Sequence, residues 1–430
     1  MRFRLSIVLL TAVACCAQSH PKVVAASAKK SAATPSSPAE IAGWPGYGGP
    51  TRNFVVPDAG LANQWPATGP KVLWKHELGD GYSGISEHNG KLFTMFRRDG
   101  HHEVIAALNA ADGKVVWQYP FESGSIGDKD LSYGPGPHVE PQVVDGRVFA
   151  VGIAGKMFCL DGQTGKVIWQ HDLVADFGAE SMGRGYGNNP LPYKNTILLP
   201  IGGAHAMIAL GQGDGKLVWQ SKNSYKNGYA APILIRVNGQ EQAVFFMGNE
   251  IVGLDPSTGA ELWKHAHSTE WGLNISMPVW MGGRYLFMSS AYNAGSRLLE
   301  LERDINTTVK EKWFTNKLRI HIGDAIPWHD CIIGASGDFG PAFITAINVN
   351  TGQELWRDRS AGKADMVLAG DKLVLVYEDG SVALAKPDNS GLHVISRAEL
   401  LNHNAWTAPT LVGTRLYLRD RQQVMAVDLK

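Results

Sequence analysis

The chain has 430 residues, 44% of them hydrophobic, with 40 basic and 40 acidic side chains that leave no formal net charge. The first 40 residues hold five bases and one acid, so the remainder carries 35 bases and 39 acids, a net charge of −4. No basic stripe remains to follow a phosphate backbone, which excludes nucleic acid as a partner.

Met1-Arg-Phe-Arg4 is a basic start, and residues 5–17 form an apolar stretch too short for a permanent bilayer anchor, as in an export signal. Ala12-Val-Ala-Cys15 matches a lipoprotein processing site except for Ala12, where Leu is usual, and Ala12-Val-Ala14 also serves an ordinary signal peptidase. Both outcomes place the protein in the periplasm or outside the cell; the first adds a membrane tether through a lipidated Cys15. Residues 18–42, rich in Ala, Ser, Pro and Lys without an apolar period, read as a flexible linker. Residues 43–430 read as one folded domain.

Within that domain one pattern recurs. Asp161-Gly-Gln-Thr-Gly165-Lys-Val-Ile-Trp169 has variants ending at Trp117, Trp219, Trp263 and Trp356, with turn glycines Gly113, Gly215, Gly259 and Gly352. Trp74 and Trp313 keep the strand but have lost the turn. Successive Trp lie 43, 52, 50, 44, 50 and 43 residues apart, the period of a four-stranded propeller blade. Between them run short segments rich in Val, Ile, Phe and Trp, punctuated by Gly and Asp: strand, turn, strand, turn. The Asp or Asn bonds its own backbone, the Gly takes a positive φ, and the Trp at fixed offset packs between blades with its ring N–H partnered.

Units closing at Trp117, Trp169, Trp219, Trp263, Trp313 and Trp356, followed by a Trp-less unit, make seven. The last segment, from Ala408, supplies three strands and then the chain ends, while the Trp74 segment is an outer strand with no inner strands before it. Pairing the two closes a ring and removes two exposed edges. The fold class is therefore all-β, an eight-bladed β-propeller of four-stranded antiparallel blades, with seven blades as the alternative.

The repeat Asp/Asn-x-x-Thr-Gly-x-x-x-Trp resembles that of the PQQ-like (pyrroloquinoline-quinone-type) β-propeller family, over roughly residues 43 to 430. The lead-in Gly43-Trp-Pro-Gly-Tyr-Gly-Gly-Pro-Thr-Arg-Asn53 and Gln64-Trp-Pro-Ala-Thr-Gly-Pro70 is similar to that of secreted single-domain members. The resemblance implies the fold; the family includes both quinone enzymes and non-catalytic BamB-like scaffolds of outer-membrane assembly.

Cysteine usage bears on that choice. Cys159 and Cys331 lie in separate apolar strands and read as small buried hydrophobes rather than a disulfide. Quinone alcohol dehydrogenases of the superfamily carry a disulfide of adjacent cysteines against the cofactor, and the folded part of this sequence has no such pair and no Cys-x-x-Cys-His haem segment. No Gly-x-Ser-x-Gly elbow or His-Glu-x-x-His pair points to a hydrolase.

The connections from each outer strand to the next inner strand are the longest and most polar, and they gather on one face of a propeller. They bring Tyr82, His138, Glu140, Arg184, Tyr186, Asn188, Tyr229, Asn274, His321, Asp324, Lys363 and Trp406 to one rim, along with Tyr133 and His403. A protein partner or small ligand is expected there, with no cofactor, no metal and no catalytic residue. The alternative is a quinone dehydrogenase acting on an alcohol or sugar. In that reading Glu140, Asn188, Asn274 and Asp324 offer oxygen ligands to calcium, Arg184 lies near the quinone, and Asp324 is the catalytic carboxylate.

Overall fold

The computed structural model describes residues 43–123, 134–338, 340–360, 362–402 and 404–430. The expected export segment with Cys15, the expected linker, Tyr133 and His403 lie outside these residues. Eight sheets form the ring. The first blade runs from its inner strand Ser86–His88 through Lys91–Arg97 and His102–Asn109 to its outer strand Val115–Glu122. The next six begin at Gln142–Val144, Leu191–Tyr193, Ile233–Val237, Val279–Trp280, Ile326–Trp328 and Ala364–Ala369. The eighth joins Thr410–Val412, Arg415–Arg419 and Gln423–Asp428 to Lys71–Glu77 as its outer strand.

Burial follows the layering. Middle strands such as Lys91–Arg97 are enclosed on both faces by neighbouring blades, whereas the outer Val115–Glu122 is largely exposed. In the best-kept turn, Asp161 Oδ1 accepts from the backbone N–H groups of Gln163 and Thr164 at 3.1 and 2.8 Å, and Gly165 has φ 70°. A bulge then sets Trp169 opposite Cys159. The only helix longer than one turn of three residues among the described residues is Leu173–Phe177, capped by Asp172, a short departure from the all-strand reading.

The tryptophans lock each blade to the next. The indole N–H donates to a carbonyl in the following turn: Trp74 to Ala110 (3.2 Å), Trp117 to Gly162 (3.1 Å), Trp169 to Gln212 (3.1 Å), Trp219 to Pro256 (3.0 Å), Trp313 to Val349 and Trp356 to Asp388 (both 2.8 Å). Each ring except that of Trp356 lies over the turn glycine of that next blade: a Cβ on Gly113, Gly165, Gly215, Gly259 or Gly352 would come within 2.4–2.8 Å of it. Trp263 differs because the blade after it has lost the turn; its N–H donates instead to Gln242 Oε1 at 2.7 Å.

Ring closure is as the sequence reads, with Trp74 opposite Ala426. Arg419, 1% exposed, seals the seam by donating to Met95 O at 2.7 Å, Thr94 Oγ1 at 3.0 Å and Ser83 O at 3.2 Å in the first blade.

The lead-in does something the repeat pattern does not foretell. Trp44 bridges Glu87 on the first inner strand, Val143 N–H donates to Pro45 O on the second, and Val55–Val56 adds a fifth, parallel strand to the seventh blade opposite Leu368 and Ala369. Residues 43–56 therefore form a strap across the channel, touching inner strands on several sides. Its bends require left-handed backbone at Gly48 (φ 82°), Gly49 (φ 72°), Arg52 (φ 50°) and Phe54 (φ 56°).

Candidate functional site

Each inner strand starts at the loop-rich face, so the preceding connection delivers its side chains to the channel mouth. Three successive connections supply a stack: Trp406 and Tyr82 have ring centroids 5.4 Å apart and 26° between planes, and Tyr82 and His138 are 5.9 Å and 19°. Gly136 allows this approach, since a Cβ there would sit 2.2 Å from Gly81 Cα. His138 Nε2 pairs with Arg184 O at 3.1 Å, and Arg184 N–H donates to the Tyr229 hydroxyl at 3.3 Å, which continues the rim across two more blades.

The opposite arc is built on Trp271, 43% exposed, with Tyr292 edge-on at 5.0 Å and His321 edge-on to Tyr292 at 5.1 Å. The Tyr292 hydroxyl is hydrogen-bonded to His321 Nε2. Burial and the positive charges of Lys363 and Arg184 pull His321 down to about 4, against a weaker opposing pull from Asp338, so the imidazole is neutral at pH 7 while both cations face it. Tyr292, from within the fifth blade, was not among the rim residues expected from the sequence. Tyr186 is in the core: it is 1% exposed, packs among Val151, Met157 and Leu199, and donates its hydroxyl to Glu180 O at 2.7 Å.

Below the rim, the strap meets the carboxylates. The Tyr47 hydroxyl donates to Asp324 Oδ2 at 2.6 Å, while Asp324 Oδ1 accepts from Met277 N–H at 2.6 Å. Burial pushes Asp324 up to about 6, these donors holding it back. Asp365, near the start of the inner strand Ala364–Ala369, is pushed up to about 8 by burial and by the neighbouring Asp324. Glu140, 1% exposed, is pushed up to about 8 by burial, partly offset by Arg52, and neither of its oxygens has a hydrogen-bond partner. Arg52 donates to Gln142 Oε1 at 2.8 Å and Pro232 O at 3.1 Å, and desolvation lowers it to about 10. The sequence signal for Tyr47 and Arg52 was the Gly-rich lead-in alone.

The donors expected around a quinone–calcium pair are engaged unequally. Asn274 spends its amide on Met247 O, Gly248 O and His267 O and its oxygen on Ser290; Asn188 donates to Ala230 O; Asp324 is held by Tyr47 and Met277. Of the four expected oxygen donors, Asn274 and Asp324 are thus engaged by neighbours, whereas the Glu140 oxygens and the Asn188 side-chain oxygen have no hydrogen-bond partner. Among the described residues no three His, Cys, Asp or Glu side chains stand close enough to share a metal ion. Cys159 and Cys331 are free buried thiols; burial pushes Cys159 up to about 12.

Comparison with known proteins follows the same division. Outer membrane protein assembly factor BamB of Yersinia pestis is 24% identical over 354 residues, which cover 77% of this chain and 81% of that protein. Quinoprotein alcohol dehydrogenase PedH of Pseudomonas putida is 29% identical over 175 residues, 37% of this chain; the match spans only 27% of the PedH length. The crystal structure of BamB from Moraxella catarrhalis superposes with TM-score 0.60 at 19% identity, covering 84% of this chain and 99% of that one, which bears on fold. A family model described as outer membrane protein assembly factor BamB matches residues 101–340, more than half of the chain, and the protein belongs to that family.

Proposed function

We propose that this protein is an exported, non-catalytic propeller that docks a protein partner on its loop-rich rim during assembly of outer-membrane proteins, held in the envelope by a lipidated Cys15. The carrying observation is the division of side chains at the channel mouth. The carboxylates Asp324, Asp365 and Glu140 are sunk around the strap, while Trp271, Arg184 and Lys363 remain at least partly exposed on the rim. Aromatic rings and cations of this kind provide contact area and adaptable hydrogen bonds. No described helix is long and apolar enough to cross a membrane, which leaves anchoring to residues 1–17. The test is complementation. In cells lacking the protein, a Trp271→Ala, Arg184→Glu, Lys363→Glu variant with unchanged thermal unfolding should fail to restore outer-membrane protein levels; full restoration would contradict the reading.

The match to PedH keeps a second reading, a quinone dehydrogenase oxidising an alcohol or sugar. When bound, pyrroloquinoline quinone would accept the substrate's electrons, and Asp324 and Glu140 are the carboxylates available to hold a proton beside it. Protein reconstituted with the quinone and calcium, given alcohols and aldoses with an artificial acceptor, should show no turnover above a protein-free control. Turnover lost in Asp324→Asn or Glu140→Gln would promote the enzyme.

A further inference from the structure

The outer strands are not equivalent around the ring. In each blade the residue two places before the Trp position lies just ahead of the bulge, where register makes it comparable from blade to blade. Blades seven, eight, one, two and three carry Val394, Val72, Val115, Val167 and Leu217 there; blades four, five and six carry Glu261, Glu311 and Glu354. Val394, Val72, Val115 and Leu217 are 44, 47, 55 and 43% exposed, and the next residues Val116, Ile168 and Val218 are 44, 44 and 54% exposed. Five consecutive blades thus carry an apolar residue where the other three carry Glu, although exposed apolar side chains also occur on the strands of those acids at Leu355 (41%) and Phe314 (44%).

The band is bordered by charge, each lysine of its outer turns standing with one acid (Asp428, Asp112, Asp161 or Asp214) and the inner turns tipping the sum to positive. Lys71, Lys114, Lys166 and Lys216 immediately precede the apolar residues of blades eight to three, and all four are exposed. Lys114 and Lys216 touch Asp112 and Asp214 of their own turns at 3.0 and 3.3 Å, but such exposed pairs hold weakly and exchange readily for another anion. The inner hairpin turns lie on the same face: Ala110, Gly162 and Gln212 donate backbone N–H bonds to Gly90, Gly146 and Asn195. These turns add Lys91, Arg147 and Lys194 against two acids, Asp145 and the mostly buried Glu87, which accepts from Gly90 N–H.

We infer that this turn-bearing edge, opposite the partner-binding rim, is a docking surface for an anionic phospholipid leaflet, with the exposed Val, Ile and Leu at the headgroup boundary and the lysines among the phosphates. The charge and the apolar band match that occupant, and the glutamates of blades four to six tilt the ring so that the first blade lies lowest. The inference does not depend on the partner-binding reading of the rim.

The test uses the full chain carrying Cys15→Ser, so that acylation cannot supply binding, and co-sedimentation with vesicles of phosphatidylcholine alone or mixed with phosphatidylglycerol. Binding should require phosphatidylglycerol and weaken as salt rises. Val115→Glu with Leu217→Glu, which copies the other three blades, and Lys114→Gln with Lys166→Gln and Lys216→Gln should each weaken it by about tenfold or more, with unchanged thermal unfolding. Absence of phosphatidylglycerol-dependent binding, or equal binding by both variants, would overturn the inference. So would variants that keep vesicle binding while losing a cross-linked protein, which would make the band a protein edge.

Discussion

The blade-to-blade lock can be tested through Trp169 and Gly215. Trp169 is 8% exposed, and its N–H donates to Gln212 O at 3.1 Å. Trp169→Ala removes a buried large aromatic and should cost about 3–5 kcal/mol. Gly215→Ala carries two penalties of separate origin. Its φ of 69° is left-handed, worth about 1–2 kcal/mol for a residue with a Cβ. The added Cβ would also stand 2.7 Å from Trp169 Cδ2, and relieving that overlap should cost about 1–3 kcal/mol more. In the Trp169→Ala background the overlap with the indole vanishes, leaving the backbone penalty and a 3.1 Å approach to His171 Nε2. The cycle should therefore show a coupling of about 1–3 kcal/mol, read from equilibrium urea unfolding followed by far-ultraviolet circular dichroism, which does not depend on the deleted indole. Additivity of the two substitutions within about 0.5 kcal/mol would refute the contact.

Truncation after Gly413 removes Arg415–Arg419 and Gln423–Asp428, strips Lys71–Glu77 of its partner and deletes the Arg419 seam, so the urea midpoint should fall sharply; an unchanged midpoint would refute ring closure. Stability should also decline as pH rises from about 6.5 to 8. Glu140 and Asp365 (about 8) and Glu103 (about 7) keep protons in the folded state that unfolded carboxyls release at about 4, so their contribution is complete at low pH and is lost as pH passes the folded values. His267 and His321, lowered to about 3 and 4, act with the opposite sign but only below about pH 6.5, which sets the window. Glu140→Gln should flatten the decline measured by urea midpoints at fixed ionic strength, and a wild-type stability that rose across this window would contradict the burial.

The repeat was legible because its causes are local. An Asp or Asn, a glycine three or four residues on and a Trp at fixed offset specify turn, bulge and lock within nine residues, and the orphan strand at Trp74 beside a three-stranded end specifies closure. Around the rim, the sequence placed Tyr82, His138 and Trp406 in connections of different blades but could not tell that they stack, because that depends on how neighbouring connections fold against one another. Tyr186 shows the converse limit: a tyrosine in a Gly-rich connection reads the same whether it faces water or, as here, the core. The strap was illegible for a plainer reason. Residues 43–56 have no apolar period, and their partners lie far along the chain, as with Tyr47 and Asp324, 277 residues apart.

Photo-cross-linking in cells can show whether the loop-rich rim receives a protein partner. A benzophenone amino acid would replace Trp271, Arg184 or Lys363 on the rim in turn, and Gln118 or Gln220 on the exposed outer strands as controls. The rim positions should each give an adduct with a protein of outer-membrane assembly, and the outer-strand positions should not. Adducts from Gln118 or Gln220 alone, with none from the rim, would contradict docking at the rim.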